Sequence, residues 1–149
     1  MMDRVTYLLD TNVVSEMMRP TPEPAVAACL DLHAGEGLGL ATITVWEILN
    51  GIGKLPPGRR RDGLEGRFRG VVDDYFAERL INWTSDDAEA CARIMETKRR
   101  RGEPLDDHLP DAVLAGVAVN RGLKIISRNL ADFRNTGAEI IDPWTAAFG

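Results

Sequence analysis

Three acidic residues from separate parts of the chain are placed at one edge of a predicted sheet by the strands and helices around them. Asp10 directly follows the apolar run 5–9, which predicts a buried strand. Glu47 lies in the predicted first turn of a helix after a second strand, and Asp111 begins a helix that leads into another. In open α/β sheets, ligands bind at the carboxyl ends of the strands, where these side chains would meet. Such a carboxylate cluster predicts a metal site.

Charge repulsion gives this cluster a reason to hold a cation. Two carboxylates about 5 Å apart repel by roughly 3 kcal/mol at an effective dielectric of 20, so three should not stay ionised without a counter-charge. Hard divalent cations that take oxygen ligands, Mg²⁺ or Mn²⁺, are the natural partners. Each acid also has a structural interpretation: Asp10 as a turn residue, Glu47 and Asp111 as acids favoured by the helix dipole. Because all three acids are predicted at the same edge of the sheet, a shared metal site explains them better than three unrelated structural roles.

More polar side chains are predicted near this edge. Asn129 and Asp132 come just after a predicted fourth strand. Thr11 and Asn12 follow Asp10 in a predicted turn, where they either stabilise the turn or orient the carboxylate or a metal-bound water. The loop before the helix of the third acid is interpreted as solvated and turn-stabilising, and its polar residues are Asp106, Asp107 and His108.

Strands and helices alternate along the chain, which predicts the α/β class. The predicted strands are 5–9, 38–43, 80–83, 124–127 and 138–141. The predicted helices are 25–33, 44–53, 59–78, 86–101 and 110–120, with a short helical turn over 129–133. Thr44 and Ser85 are the predicted caps of two of these helices. The alternation predicts one domain with a mostly parallel sheet covered on both faces.

Composition narrows the functional classes. The formal net charge of −5 argues against a general polyanion binder but leaves room for a nuclease with local basic patches. The two cysteines, Cys29 and Cys91, form neither a disulfide framework nor a metal-ligand spacing, and a pair of reduced thiols suits the cytoplasm. No segment reaches the roughly 20 apolar residues of a membrane span, and the N-terminus does not read as a signal peptide. We therefore expect a cytoplasmic protein.

Short motifs occur in order along nearly the whole chain. They are LLDTNVVSE (8–16), TITVWEI (42–48), LPPGRRR (55–61), PDAVLA (110–115), SRNLADF (127–133) and DPW (142–144). Together they resemble the motifs of PIN-domain ribonucleases, and most of all the VapC/FitB toxins of type II toxin–antitoxin systems. The resemblance implies a single PIN-like domain over residues 1–149, folded as a three-layer α/β/α sandwich with a central, mostly parallel sheet. It also implies Mg²⁺- or Mn²⁺-dependent RNA cleavage, a homodimer and a cognate antitoxin bound across the active-site groove.

The resemblance assigns roles to the acids. Asp10, Glu47 and Asp111 match the three core acids of the family. A cation held by Asp10 and Asp111, with Glu47 completing its shell, would bind a phosphate oxygen and activate a water for attack. A fourth acid often occurs where this chain has Asn129. Either Asp132 takes its part and orients the nucleophilic water, or Asn129 acts as a neutral ligand or positions a water.

Two basic clusters are candidates for contacts to the RNA backbone. The first cluster is Arg59, Arg60, Arg61, Arg67 and Arg69. The second cluster is Lys98, Arg99, Arg100 and Arg101, for which a solvated helix end is the favoured alternative.

Two other functions compete with the ribonuclease toxin. One is a non-catalytic PIN-fold binding partner in an antitoxin complex, which Asn129 favours and the three intact acids oppose. The other is a phosphatase of the haloacid dehalogenase type. Its chemistry needs a second Asp where this chain has Asn12, which argues against it.

Overall fold

The computed structural model describes residues 4–104 and 109–145. Within these residues, five short strands form one sheet: β1 (Tyr7–Leu9), β2 (Leu38–Ala41), β3 (Leu80–Ile81), β4 (Lys124–Ile126) and β5 (Ile140–Ile141). Their order across the sheet is β3-β2-β1-β4-β5, and all neighbouring pairs are parallel. The predicted α/β class with a central parallel sheet is confirmed.

Helices make the connections that parallel strands require, because such strands cannot be joined by tight turns. The helices are α1 (Thr11–Met17), α2 (Pro24–His33), α3 (Thr42–Gly53), α4 (Arg59–Val71), α5 (Ser85–Arg100) and α6 (Leu109–Arg121). A π-helical segment, Val72–Phe76, continues α4, and 3₁₀ turns cover Ala34–Glu36 and Leu130–Phe133. In the described part of the chain, no helix is long and apolar enough to cross a membrane.

Successive side chains of β1 face two apolar cores. Tyr7 and Leu9 belong to a core that includes buried residues of α1, α2, α3 and α4. Leu8 belongs to a second core, which includes buried residues of α5 and α6. Because residues alternate between the two faces of a strand, these cores lie on opposite faces of the sheet. The result is the expected three-layer α/β/α arrangement.

A buried carboxylate joins the start of α5 to the end of α6. Thr84, rather than the predicted Ser85, is the N-cap of α5, and it forms a reciprocal capping box with Asp87. The side chain of Asp87 is fully buried and also accepts hydrogen bonds from Asn120 and Arg121. Burial by itself would raise the pKa of Asp87, but these hydrogen bonds lower it to about 2. The carboxylate therefore stays charged and fixes the two helices together.

Two helix starts differ from the sequence prediction. The segment predicted as a turn after the first strand forms α1, whose Val13 and Val14 are completely buried in the core. Helix α3 begins at Thr42 with Ala41 as its N-cap, so Thr44 lies inside the helix and is not a cap.

The lengths of other elements also differ from the prediction. The predicted helix 59–78 ends at Val71 before the π-helical segment. All five strands are shorter in the structure than predicted, and the last predicted residues of 38–43 and 124–127 lie outside β2 and β4.

Candidate active site

Asp10 lies at the carboxyl end of β1 and is the N-cap of α1. Its backbone N–H donates to the carbonyl of Ile126 at 3.0 Å, which ties it to the neighbouring end of β4. The N–H of Thr11 donates to Oδ1 of Asp10 at 2.8 Å. Asp10 is only 4% exposed, so its carboxylate is held in a defined orientation with little access to bulk water.

The second oxygen of Asp10 is held by two side chains. Ser127 Oγ donates to Oδ2 of Asp10 at 2.8 Å, and Asn12 Nδ2 donates to the same oxygen at 3.2 Å. The Ser127 hydroxyl also accepts a hydrogen bond from the N–H of Asn129 at 3.0 Å. Oδ1 of Asn12 accepts from the N–H of Arg128 at 3.1 Å. These contacts connect the start of α1 to the loop that follows β4.

Ser127 is the site residue that the sequence reasoning missed. It is completely buried and holds the carboxylate of Asp10, although the sequence marked it only as part of a motif. The available signal was its position directly after β4, at the same sheet edge as Asp10. For Asn12, orienting Asp10 was one of the roles that the sequence left open, and its hydrogen bond to Asp10 is the contact that this role requires.

Glu47 approaches the site from α3. It lies in the second turn of the helix rather than the predicted first turn, because α3 begins at Thr42. Its side chain is partly buried, and its Oε1 accepts a hydrogen bond from Thr11 Oγ1 at 3.2 Å. Thr11 therefore bridges Asp10 and Glu47: its N–H binds the first carboxylate and its hydroxyl binds the second.

The acids act on one another electrostatically. Burial raises the pKa of Asp10 and the charge of Asp132 raises it further, while hydrogen bonds from Ser127 and other groups oppose the rise. Burial also raises the pKa of Glu47, with further increases from the charges of Asp10 and Asp111. The four acids named from the sequence are therefore near enough to influence each other's ionisation. A cation beside Asp10 and Glu47 would relieve this repulsion and lower the pKa of both carboxyl groups.

The donor set fits a hard cation, although the described residues do not enclose one. Within residues 4–104 and 109–145, no three acidic, histidine or cysteine side chains come close enough together to hold a metal ion. The oxygens of Asp10 and Glu47 are the ligand type that Mg²⁺ and Mn²⁺ prefer. Cys29 and Cys91 are buried free thiols. The loop residues considered in the sequence, Asp106, Asp107 and His108, lie outside the described residues.

Asn129 and Asp132 approach Asp10 in different ways. Asn129 is exposed, and its backbone N–H reaches the site through Ser127. Asp132 lies in the 3₁₀ turn Leu130–Phe133, and its negative charge acts on Asp10. Of the two candidates for the fourth position, Asp132 is therefore the one whose carboxylate acts electrostatically on Asp10.

A groove of about 340 Å³ runs beside Glu47 between α1, α3 and α4. Its lining includes Thr11, Glu47 and, from the first basic cluster, Arg67. Arg69 instead pairs with Glu65 at 3.8 Å. Arg59, Arg60 and Arg61 form the first turn of α4, and none of them forms an ion pair with a described residue.

Three residues of the second basic cluster form ion pairs with nearby acids. The side chain of Lys98 is only 6% exposed, and its Nζ lies 3.2 Å from Oε2 of Glu103. Arg99 and Arg100 both pair with Glu96, at 2.6 and 3.1 Å. These contacts favour the structural alternative, with the difference that Lys98 is buried rather than solvated.

The chain is similar to known proteins over nearly its whole length. The family model of the PIN domain matches residues 7–139. The chain is 33% identical over 140 residues to the VapC ribonuclease Y4jK of Sinorhizobium fredii, which covers 94% of this chain and 99% of that protein. It is 30% identical over 137 residues to Toxin FitB of Neisseria gonorrhoeae, which covers 92% and 97%. The crystal structure of FitAcB from Neisseria gonorrhoeae matches with a TM-score of 0.82 at 29% identity, covering 95% of this chain and 100% of that one.

Proposed function

Because this chain belongs to the PIN-domain family, as its motifs predicted, we propose that it is a metal-dependent endoribonuclease and the toxin of a toxin–antitoxin pair. The observation that carries the proposal is the buried carboxylate of Asp10, oriented by three hydrogen bonds beside Glu47 and within the field of Asp132. Relatives named a VapC ribonuclease and Toxin FitB support RNA as the substrate and the toxin class. A toxin that cleaves RNA would act in the cytoplasm.

The residues of the candidate site have different roles in the proposed hydrolysis. Asp10 and Glu47, which Thr11 bridges, would hold Mg²⁺ or Mn²⁺, and Asp111 would join them as the acids close around the ion. The bound ion would supply Lewis-acid activation of the phosphate and of the attacking water. Ser127 orients Asp10 through the 2.8 Å hydrogen bond to its Oδ2. Asp132 would orient the water and accept its proton as the general base. In-line attack then leaves a 5′-phosphate and a 3′-hydroxyl.

RNA binding requires cations beside these acids. Arg67 lines the groove next to Glu47, so it can meet the RNA backbone close to the site. Arg59, Arg60 and Arg61 stand at the start of the same helix, where their charge opposes the helix dipole and is better explained by binding than by helix stability. We assign the RNA contacts to these four residues of α4.

Protein partners are the second part of the proposal. The groove beside Glu47 has apolar walls that include Ile52 and Leu64, which suit an apolar segment of the antitoxin laid next to the acids. Trp83 is 44% exposed and lines a shallow apolar depression with Ile43 and Val113, which suits a contact with a second copy of the chain in a homodimer. Exposed aromatic side chains are common at such interfaces.

A cleavage assay tests the proposal. Antitoxin-free protein is incubated with structured RNA and Mg²⁺ or Mn²⁺, in parallel with Asp10→Asn and with the control Asp74→Asn, an exposed acid on the π-helical segment. We expect cleavage by wild type and by the control, and a loss of at least about 100-fold in Asp10→Asn. Cleavage that survives in Asp10→Asn or in chelator contradicts the mechanism. Folded wild type that binds antitoxin but cleaves no RNA favours the non-catalytic binding partner, which the neutral Asn129 supports.

A further inference from the structure

Arg128 is fixed at the edge of the site by its backbone. It directly follows Ser127, whose hydroxyl holds Asp10. Its own N–H donates to Oδ1 of Asn12, and the amide of Asn12 in turn donates to Asp10. The backbone of Arg128 therefore belongs to the hydrogen-bond network that orients the carboxylate, while its side chain is exposed.

The side chain of Arg128 lies on an anchored aromatic ring. Its guanidinium carbon is 4.7 Å from the centre of the Trp144 ring, within the range of a cation–π interaction. Trp144 is partly buried and packs against the apolar core that contains Leu9. Its backbone N–H donates to Oδ1 of Asp142 at 2.9 Å. The ring therefore provides a fixed platform, which reduces the conformational freedom that the arginine would lose on binding a ligand.

The charge of Arg128 is not neutralised within the described structure. None of the described carboxylates forms an ion pair with it, and the indole ring is neutral. In contrast, Arg19 pairs with Glu16 and Arg121 pairs with Asp87. An oriented and unpaired guanidinium is suited to a bidentate contact with an oxyanion.

The sheet order places this cation on one side of Asp10 and the groove on the other. Strand β1, which ends at Asp10, lies between β2 and β4. Glu47 and Arg67 belong to α3 and α4, which follow β2. Arg128 and Trp144 follow β4 and β5, on the opposite side of β1. A polyanion that contacts both arginines can therefore pass over Asp10 at the carboxyl edge of the sheet.

We propose that Arg128, stacked on Trp144, binds a backbone phosphate of the RNA on the opposite side of the scissile bond from the phosphate that meets Arg67. The inference rests on the proposed function and adds the course of the substrate, from α4 across Asp10 to the end of β5. RNA fits this arrangement because it carries evenly spaced phosphates that can satisfy both cations, with one phosphate presented between them at the acids.

Binding and its salt dependence test the role of Arg128. The full chain carries Glu47→Gln to suppress cleavage, since that change does not touch the hydrogen bonds of Asp10 to Ser127 and Asn12. A fluorescent single-stranded RNA is titrated in Mg²⁺ at several salt concentrations, with and without Arg128→Gln. The matched control is Arg93→Gln, which removes one exposed positive charge of α5. Thermal unfolding checks that each variant is folded.

We expect Arg128→Gln to weaken RNA binding roughly tenfold and to reduce the salt slope by about 0.7, the value for one phosphate contact of a single strand. Arg93→Gln should change neither quantity. Trp144→Leu, which keeps the charge and removes the platform, should weaken binding by about threefold and leave the salt slope unchanged.

Other results overturn the inference. If Arg128→Gln matches Arg93→Gln while wild type still cleaves RNA, Arg128 has no phosphate contact and the proposed function stands. If Arg128→Gln weakens antitoxin binding but not RNA binding, the residue belongs to the protein interface instead. If the protein neither cleaves nor binds RNA, both the inference and the proposed function fail.

Discussion

Removing the hydroxyl of Ser127 should disable the site without disturbing the fold. The hydroxyl donates to Oδ2 of Asp10 at 2.8 Å and accepts from the N–H of Asn129 at 3.0 Å, and the residue is fully buried. In Ser127→Ala, Oδ2 of Asp10 keeps only the longer hydrogen bond from Asn12, at 3.2 Å. The carboxylate then loses its best-placed donor on the side that faces β4.

The magnitude follows from the charge of the acceptor. A hydrogen bond to a charged group contributes roughly 2 kcal/mol, so a loss of this size in the transition state slows cleavage by roughly 30-fold. The hydrogen bond of Ser127 also lowers the pKa of Asp10, against the larger upward effect of burial. Without it the pKa rises further, so less of Asp10 is ionised at a given pH. The acid limb of the pH–rate profile should therefore move to higher pH.

Cleavage rates measured against pH for three variants test this prediction. Ser127→Thr restores a hydroxyl and should recover most of the activity, whereas Ser127→Ala should show both the slower rate and the shifted profile. Ser85→Ala is the matched control, because Ser85 is exposed and the cap of α5 is Thr84. If Ser127→Ala cleaves at the wild-type rate with an unshifted profile, the hydrogen bond to Asp10 has no catalytic importance.

Two further predictions concern stability and the second basic cluster. The pKa of Asp87 is about 2, below its ordinary value of 3.8. The ionised carboxylate therefore contributes about 2 kcal/mol to the free energy of unfolding. This contribution is fully present above about pH 4 and is lost as the pH falls through about 2. Urea unfolding of wild type and Asp87→Asn at pH 7 and pH 2.5 should give a stability difference that shrinks at low pH, and a constant difference would contradict the assignment. Lys98→Met should lower the free energy of unfolding, because it breaks the ion pair with the partly exposed Glu103, yet leave RNA affinity unchanged. A clear fall in RNA affinity without loss of stability would contradict the structural role and indicate that Lys98 contacts RNA.

The shared sheet edge of the acids was predictable because it depends on local patterns. Asp10 follows an apolar strand, and Glu47 lies on the helix after β2, so the topology of a parallel sheet brings them together. The same reasoning missed α1, because Thr11 and Asn12 are common in turns and the two following valines are poor helix formers. Burial of those valines in the core outweighs their weak propensity.

Contacts between distant parts of the chain could not be predicted in the same way. The hydroxyl of Ser127 gains its role from Asp10, which lies 117 residues away along the chain. Lys98 appeared as one of four basic residues at a helix end, but Glu103 and the carbonyl of Arg134 bury and bind it. Thr44 satisfied the residue preference for a cap, whereas the helix begins earlier, after Ala41, without a side-chain cap.

The chemical ends of the RNA products test the central claim most directly. In the proposed mechanism, attack by a water that Asp132 orients beside Asp10 leaves a 5′-phosphate and a 3′-hydroxyl. Attack by the 2′-hydroxyl of the RNA would instead leave a 2′,3′-cyclic phosphate and a 5′-hydroxyl. End-group analysis of the products made by wild type with Mn²⁺ should show 5′-phosphates, and Asp10→Asn should produce none. Cyclic phosphate ends from wild-type protein would contradict hydrolysis at this carboxylate cluster.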